Sequence, residues 1–240
     1  MGEITSMGEF KMMGRLLAVA AICLGFAACT TTNTNVALGA GDSVPKGARV
    51  LLIQPDVQLG LLTASGVTEP RADWSQAGRS NLSAEIQGQM TARSHTLMLA
   101  DPDDLMAGRQ GQLLRLHQAV GESILMFNYG PLRLPTKPEF DWTLGSGTRS
   151  LATSADADYA LFVRGQGNYA SGGRVAAAVG MSMLGVAVPL GEQRVFASLI
   201  DLQTGQVVWF NVAVAGPQAD MRETAGAASL TASLLEDIPL

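Results

Sequence analysis

The sequence predicts an α/β fold, a single domain in which a mixed sheet is flanked by helices. Three observations carry this. Short apolar runs stopped by Pro, Asp or Gly alternate with longer segments whose apolar residues recur at helical spacing. The C-terminal third holds two apolar runs joined by a turn rich in polar residues and glycine. The chain has 240 residues, 47% of them hydrophobic and 15% charged. That composition suits one packed domain rather than a disordered chain.

The elements follow in order. Ala48–Gln54 (ARVLLIQ) is a continuous apolar run ended by Pro55-Asp56, as in a buried strand. Val57–Thr63 is a second strand or an edge segment, and residues 64–73 form a loop. Asp73 is expected to cap a helix starting near Trp74. Trp74, Gly78, Leu82, Ile86 and Met90 would share its inner face. A brief strand covers Thr96–Leu99. Asp101-Pro102-Asp103-Asp104 reads as an N-cap, a proline at the first helical position and acids in the first turn. That helix is expected to reach Phe127 with Leu113, Leu116, Val120, Ile124 and Phe127 inward. Gly130–Pro138 holds three prolines and is expected to be extended. A helix over Trp142–Thr153 is expected in spite of Gly145 and Gly147. Tyr159–Arg164 is a strand. Arg194–Ile200 and Gln206–Val214 form a hairpin whose turn uses Gly205 for positive φ. Gly216-Pro217 ends it, and a last helix covers Gln218–Glu236.

The N-terminal stretch has a different character. Lys11 and Arg15 precede the uncharged run Leu16–Ala28. A secretory signal core needs about 7–15 apolar residues and a membrane-spanning helix about 20. The run fits the first. It closes on Phe26-Ala27-Ala28-Cys29, which resembles the bacterial lipoprotein box apart from Phe26 at the usual leucine position. The resemblance implies that Cys29 is acylated and becomes the mature N-terminus. Residues 1–28 would then be the signal peptide and residues 29–47 a lipidated cysteine and flexible tether, since Thr30–Asn35 is low in complexity. Residues 48–240 would be the periplasmic domain. Thr30, not Asp, after the cysteine implies sorting to the outer membrane by the same resemblance. Several acyl chains make such anchoring nearly permanent, at about 0.8 kcal/mol per buried methylene.

"ADYALFV" (Ala157–Val163) and "ASLIDLQTGQVVWFN" (Ala197–Asn211) carry a second resemblance. Together with the lipoprotein start, they resemble a group of envelope proteins: the curli-secretion lipoproteins, the lipoprotein activators of penicillin-binding proteins, and the N-terminal domain of TolB. The shared feature is a late hairpin of the form D-x-x-T-G-x-x-x-W, here Asp201, Thr204, Gly205 and Trp209. Its residues are mostly turn formers, so it speaks for fold rather than activity.

No pattern of residues points to catalysis, and the expectation is a non-enzyme without cofactor. The two histidines, His95 and His117, stand alone, with no His-Glu-x-x-His. Asp101, Asp103 and Asp104 lack the glycine and distal glutamate of a calcium loop. Gly165-Gln166-Gly167 and Gly172-Gly173 are not followed by the Lys-Ser or Lys-Thr of a phosphate loop, and Gly145-Ser146-Gly147 lacks the spacing of a nucleophile elbow. Of the two cysteines, Cys23 would leave with the leader and Cys29 would carry lipid. That leaves no disulfide and no cysteine zinc site. The net charge of −5 without a basic patch argues against nucleic acid.

The segment Arg174–Gly191 is uncharged after Arg174 and rich in Ala, Gly and Met. The reading preferred from sequence is a buried helix, Arg174–Leu184, packed on the sheet. The alternatives are a surface docking a partner or the membrane, and a membrane-inserting segment as in the curli channels. The last is disfavoured by poor alternation and by Pro189. Arg174, Met181, Met183 and Leu184, with Leu132 and Leu134 of the proline-rich loop, are the candidate partner-binding residues. The expected function is that of a lipid-anchored accessory protein at the periplasmic face of the outer membrane, binding another envelope protein or itself. A subunit of an oligomeric secretion channel and an envelope hydrolase are the alternatives.

Overall fold

The computed structural model describes residues 30–37, 44–45, 47–95, 97–106, 108–216 and 219–240. The leader, Cys29 and most of the linker up to Lys46 lie outside them. Eight strands form one mixed sheet: β1 Thr31–Val36, β2 Val50–Ile53, β3 Asp56–Leu62, β4 Thr68–Pro70, β5 Leu97–Ala100, β6 Tyr159–Ala170, β7 Gln193–Asp201 and β8 Val207–Ala215. The helices are α1 Ala72–Ala92, α2 Pro102–Leu105, α3 Gly108–Ile124, α4 Arg149–Ala155, α5 Gly172–Ser182 and α6 Thr224–Leu234.

β6 is the central strand. β2 runs parallel along its first half and β3 along its second, from Asp56↔Arg164 to Leu62↔Ala170. β5 lies outside β2, and β4 outside β3. On the other side β7, β8 and β1 follow, each antiparallel to its neighbour. Alternation sends successive side chains to opposite faces. On one face Leu161, Val163 and Trp209 meet Leu82, Ile86 and Met90 of α1 and Leu230 and Leu234 of α6. On the other, Phe162, Phe196 and Phe210 meet Leu113 and Ile124 of α3, Leu151 of α4, and Trp142.

The stripe on α1 is as the spacing predicts, with Gly78, Leu82, Ile86 and Met90 buried. Asp73 does not cap the helix. The N-cap is Arg71, without a side-chain cap, and its guanidinium pairs with the Asp73 carboxylate at 2.6 Å. Asp101 does cap, accepting from the Asp103 backbone N–H at 2.9 Å. The following helix is not continuous: it breaks after Leu105, resumes at Gly108, and ends in a π-turn, Leu125–Tyr129. Its inner face is the expected one at Leu113, Val120, Ile124 and Phe127, which pack on the core, and departs from it at one position. Leu116 is exposed and His117 is buried. Gly121 explains the shift, since a Cβ there would stand 3.1 Å from the Phe196 ring. The missing side chain brings α3 against that ring and turns His117 inward.

Three further expectations are corrected. Thr31–Val36, read as tether, is a sheet strand in register with β8 from Thr31↔Val214 to Val36↔Trp209. Its polar residues gave no burial signal, but β-branched threonines suit a half-exposed edge strand. The helix expected from Trp142 begins only at Ser146, as a 3-10 turn leading into α4. Trp142 is buried in a non-helical segment, and its backbone carbonyl accepts from the Val207 N–H at 2.9 Å. The last helix starts at Thr224, six residues later than expected.

The β7–β8 hairpin forms as predicted, with Gly205 at φ +79°. A Cβ there would also be driven into the Gly145 carbonyl. Gly205→Ala should therefore lower stability by about 1–3 kcal/mol, from left-handed strain and displacement of that loop. Urea unfolding of the variant checks this, and an unchanged midpoint would refute it.

Candidate interaction surface

Among the described residues, the most solvent-exposed apolar side chains gather on the excursion between β6 and β7. Ser171 caps α5, its hydroxyl accepting from the Arg174 N–H at 3.2 Å. The Arg174 side chain then reaches across the excursion, its Nε donating to the Pro189 carbonyl at 2.7 Å. These contacts clasp the two ends of a segment that otherwise faces solvent. No residue of α5 is buried. Met183 is 82% exposed and Leu184 76%, and Val175, Val179, Met181, Val186 and Leu190 are exposed too. The buried-helix reading is thus overturned. An Ala/Gly/Val/Met composition makes this helix apolar all round, and such a pattern does not distinguish a core helix from one the fold leaves uncovered.

Beneath the excursion lies a polar network. Tyr169 donates to Gln193 Oε1 at 2.6 Å, the Met221 N–H donates to the same oxygen at 2.9 Å, and Gln193 Nε2 donates to the Gly216 carbonyl at 3.0 Å. The Arg222 guanidinium lies 3.7 Å from the Tyr169 ring centroid and 4.2 Å from that of Trp74. Burial pushes the Tyr169 hydroxyl far above its usual range, and the adjacent Asp220 adds to this, so it acts only as a neutral donor. Burial also pushes Asp220 up, but hydrogen bonds from the Arg222 guanidinium and backbone N–H outweigh it and hold the carboxyl below its usual value. The root of the excursion is therefore firmly built.

Leu132 and Leu134 are elsewhere, on the loop beyond the π-turn. Arg133 braces that loop by donating to the Phe127 and Asn128 carbonyls at 2.9 and 3.2 Å. Leu132 is 54% exposed, whereas Leu134 is half-buried against the α3-side core. The structure thus brings Arg174, Met181, Met183 and Leu184 together on one excursion and leaves the two leucines on another element. Sequence reasoning missed Val67, exposed in the turn between β3 and β4 beside the excursion.

A second feature is a cleft of about 200 Å³ lined by Ile53, Asp56, His117, Phe162 and Arg164 among others. Arg164 is buried, 3.5 Å from Asp56 and 3.8 Å from Glu122. Gln118, with its amide oxygen turned inward, accepts from both of its terminal nitrogens at 3.2 and 2.6 Å. His117 stacks on Phe162 at 3.9 Å and shares a 2.7 Å hydrogen bond with Ser198. Burial, then the Arg164 charge, lowers its pKa to about 3. A neutral, buried imidazole satisfied by a serine reads as packing, as the sequence suggested. Among the described residues, no three His, Cys, Asp or Glu side chains converge as a metal site, and no helix is long and apolar enough to cross a membrane.

No family model matches the chain, and no curated protein does. Several solved structures align with it. The PelC dodecamer from Paraburkholderia phytofirmans is 15% identical, covers 88% of this chain and 99% of its own, and has a TM-score of 0.40. The LpoB C-terminal domain from Salmonella enterica is 16% identical, over 73% of this chain and 87% of its own, at a TM-score of 0.30. A lipoprotein from Neisseria meningitidis is 12% identical, over 70% and 81%, at 0.31.

Proposed function

We propose that the chain is a non-catalytic accessory protein of the bacterial envelope, lipid-anchored through Cys29 at the periplasmic face of the outer membrane and binding another envelope component. The observation that carries the reading is the run Leu16–Ala28 ending on Cys29 within two residues of the first strand. A short apolar core flanked by positive charge and closed by small residues before a cysteine suits export followed by acylation. The leader, residues 1–28, would be removed, and residues 30 onward would form the domain. Leu132, exposed on the loop beyond the π-turn, supplies a contact surface for that component, and the apolar excursion is a second face left open to solvent, since clustered apolar side chains in solvent are favoured where something covers them.

Cys29→Ser tests the anchoring. The parent should carry acyl mass at Cys29 and fractionate with the outer membrane. The variant should lose the acyl mass and leave that fraction. Identical fractionation of the two would overturn the reading.

A further inference from the structure

We propose that Val175–Leu190 is a bilayer-contacting segment, seated in the leaflet that receives the acyl chains of Cys29. This rests on the anchoring read above, and it comes from where the sheet puts its ends. Leu62 pairs with Ala170, Gly167 with Gln193, Gln193 with Ala215, and Thr31 with Val214. The end of β6, the start of β7, the end of β8 and the start of β1 therefore lie at one end of the sheet. The chain leaves that end at Ala170 and returns to it at Gln193, so the whole excursion is rooted there. Cys29 is two residues from Thr31, so covalent geometry holds it within about 7 Å of the same end. Between β1 and β6 lie only three strand spacings, about 15 Å across the sheet. A lipid on Cys29 brings the root of the excursion to the membrane surface.

The chemistry of the segment agrees with that placement. From Val175 to Gly191 there is no charged residue. A helix docked on another protein keeps a polar face for solvent, whereas one that is apolar all round is covered by a core or by lipid. The core does not cover α5, and what its anchor places beside it is the bilayer. Charges gather at the root: Arg174 clasps the excursion, and Arg194 pairs with Glu192 at 3.4 Å. That is the order of a polar base at headgroup level and an apolar tip beyond it. With 11 residues α5 is about 16 Å long, too short for a hydrocarbon core of about 30 Å, so it enters one leaflet only. Val67, on the β3–β4 turn at this same end, extends the apolar patch.

The experiment labels the full-length, membrane-processed protein at Met183→Cys, and separately at Gln203→Cys in the β7–β8 turn at the opposite end of the sheet. Both positions are exposed, so neither change disturbs packing. The fluorescent label is read in vesicles of phosphatidylethanolamine and phosphatidylglycerol, with a water-soluble quencher and with nitroxide-bearing lipid. The expected result is severalfold stronger lipid quenching at position 183 than at 203, with the reverse order for the aqueous quencher. Equal aqueous quenching at both sites overturns the proposal. So does a label at 183 shielded from water yet untouched by lipid nitroxide, which would mean a second copy or another protein covers the segment. Intact mass reports acylation separately: missing acyl mass refutes the anchoring, while the quenching order still decides whether the segment enters lipid.

Discussion

Phe210→Ala is expected to cost about 3–5 kcal/mol of stability. Phe210 has no exposed surface. Its ring stacks on Phe196 at 5.3 Å and meets Tyr129 at 5.7 Å, while the Tyr129 hydroxyl donates to the Phe210 carbonyl at 3.2 Å. Removing the ring leaves a cavity between β8, β7 and the π-turn that these rigid neighbours cannot fill. A domain is stable by only about 5–15 kcal/mol in total, so the loss would remove a large share of it. Urea unfolding measures the effect. Leu132→Ala, at an exposed site, should change the midpoint by less than about 0.5 kcal/mol. A Phe210→Ala midpoint as mild as that of Leu132→Ala would contradict the packing described for the α3 face.

Acidification should destabilise the domain well before its carboxylates titrate, because of His117. Burial and then Arg164 lower its pKa from 6.5 to about 3. Between those values the unfolded chain binds a proton that the folded one refuses, so stability rises with pH through the window and is lost as pH falls through it. The slope approaches about 1.4 kcal/mol per pH unit once the unfolded histidine is mostly protonated. Summed down to pH 3 it amounts to several kcal/mol. Asp56 and Glu122 lie near Arg164 but do not rescue the imidazolium, whose hydrogen-bond partner among the described residues is Ser198. Unfolding free energies at pH 6.5 and 5, where few carboxylates titrate, should differ in the parent. His117→Gln should flatten the difference. A parent that is equally stable at both values would show that His117 protonates within the fold.

Much of the fold was legible because burial and spacing coincide. The α1 stripe, the Asp101 cap and the β7–β8 hairpin each rest on local rules that the packed structure also obeys. The failures share a cause. That His117 rather than Leu116 turns inward on α3 depends on Gly121 meeting Phe196, a partner 75 positions away in the chain. Threonine and asparagine in residues 31–36 look like tether because the edge of β8, not burial, makes them a strand. The apolar run after Arg174 reads as core because sequence records that a side chain avoids water, not what covers it. Met181, Met183 and Leu184 were identifiable as unusual from their uncharged surroundings, whereas their exposure and Val67's company with them are tertiary facts.

The pairing of β1 with β8 also fixes an order of assembly. Thr31 stands opposite Val214, so the first described strand closes against the last. A chain made from its N-terminus cannot complete this sheet until the C-terminal hairpin has followed, and contacts of such long sequence separation form slowly. Until then β8 presents an open edge, and a β1 from another copy would fit it as well as its own. Keeping emerging chains apart until β1 has docked is thus part of making a chain whose β1 closes its own sheet.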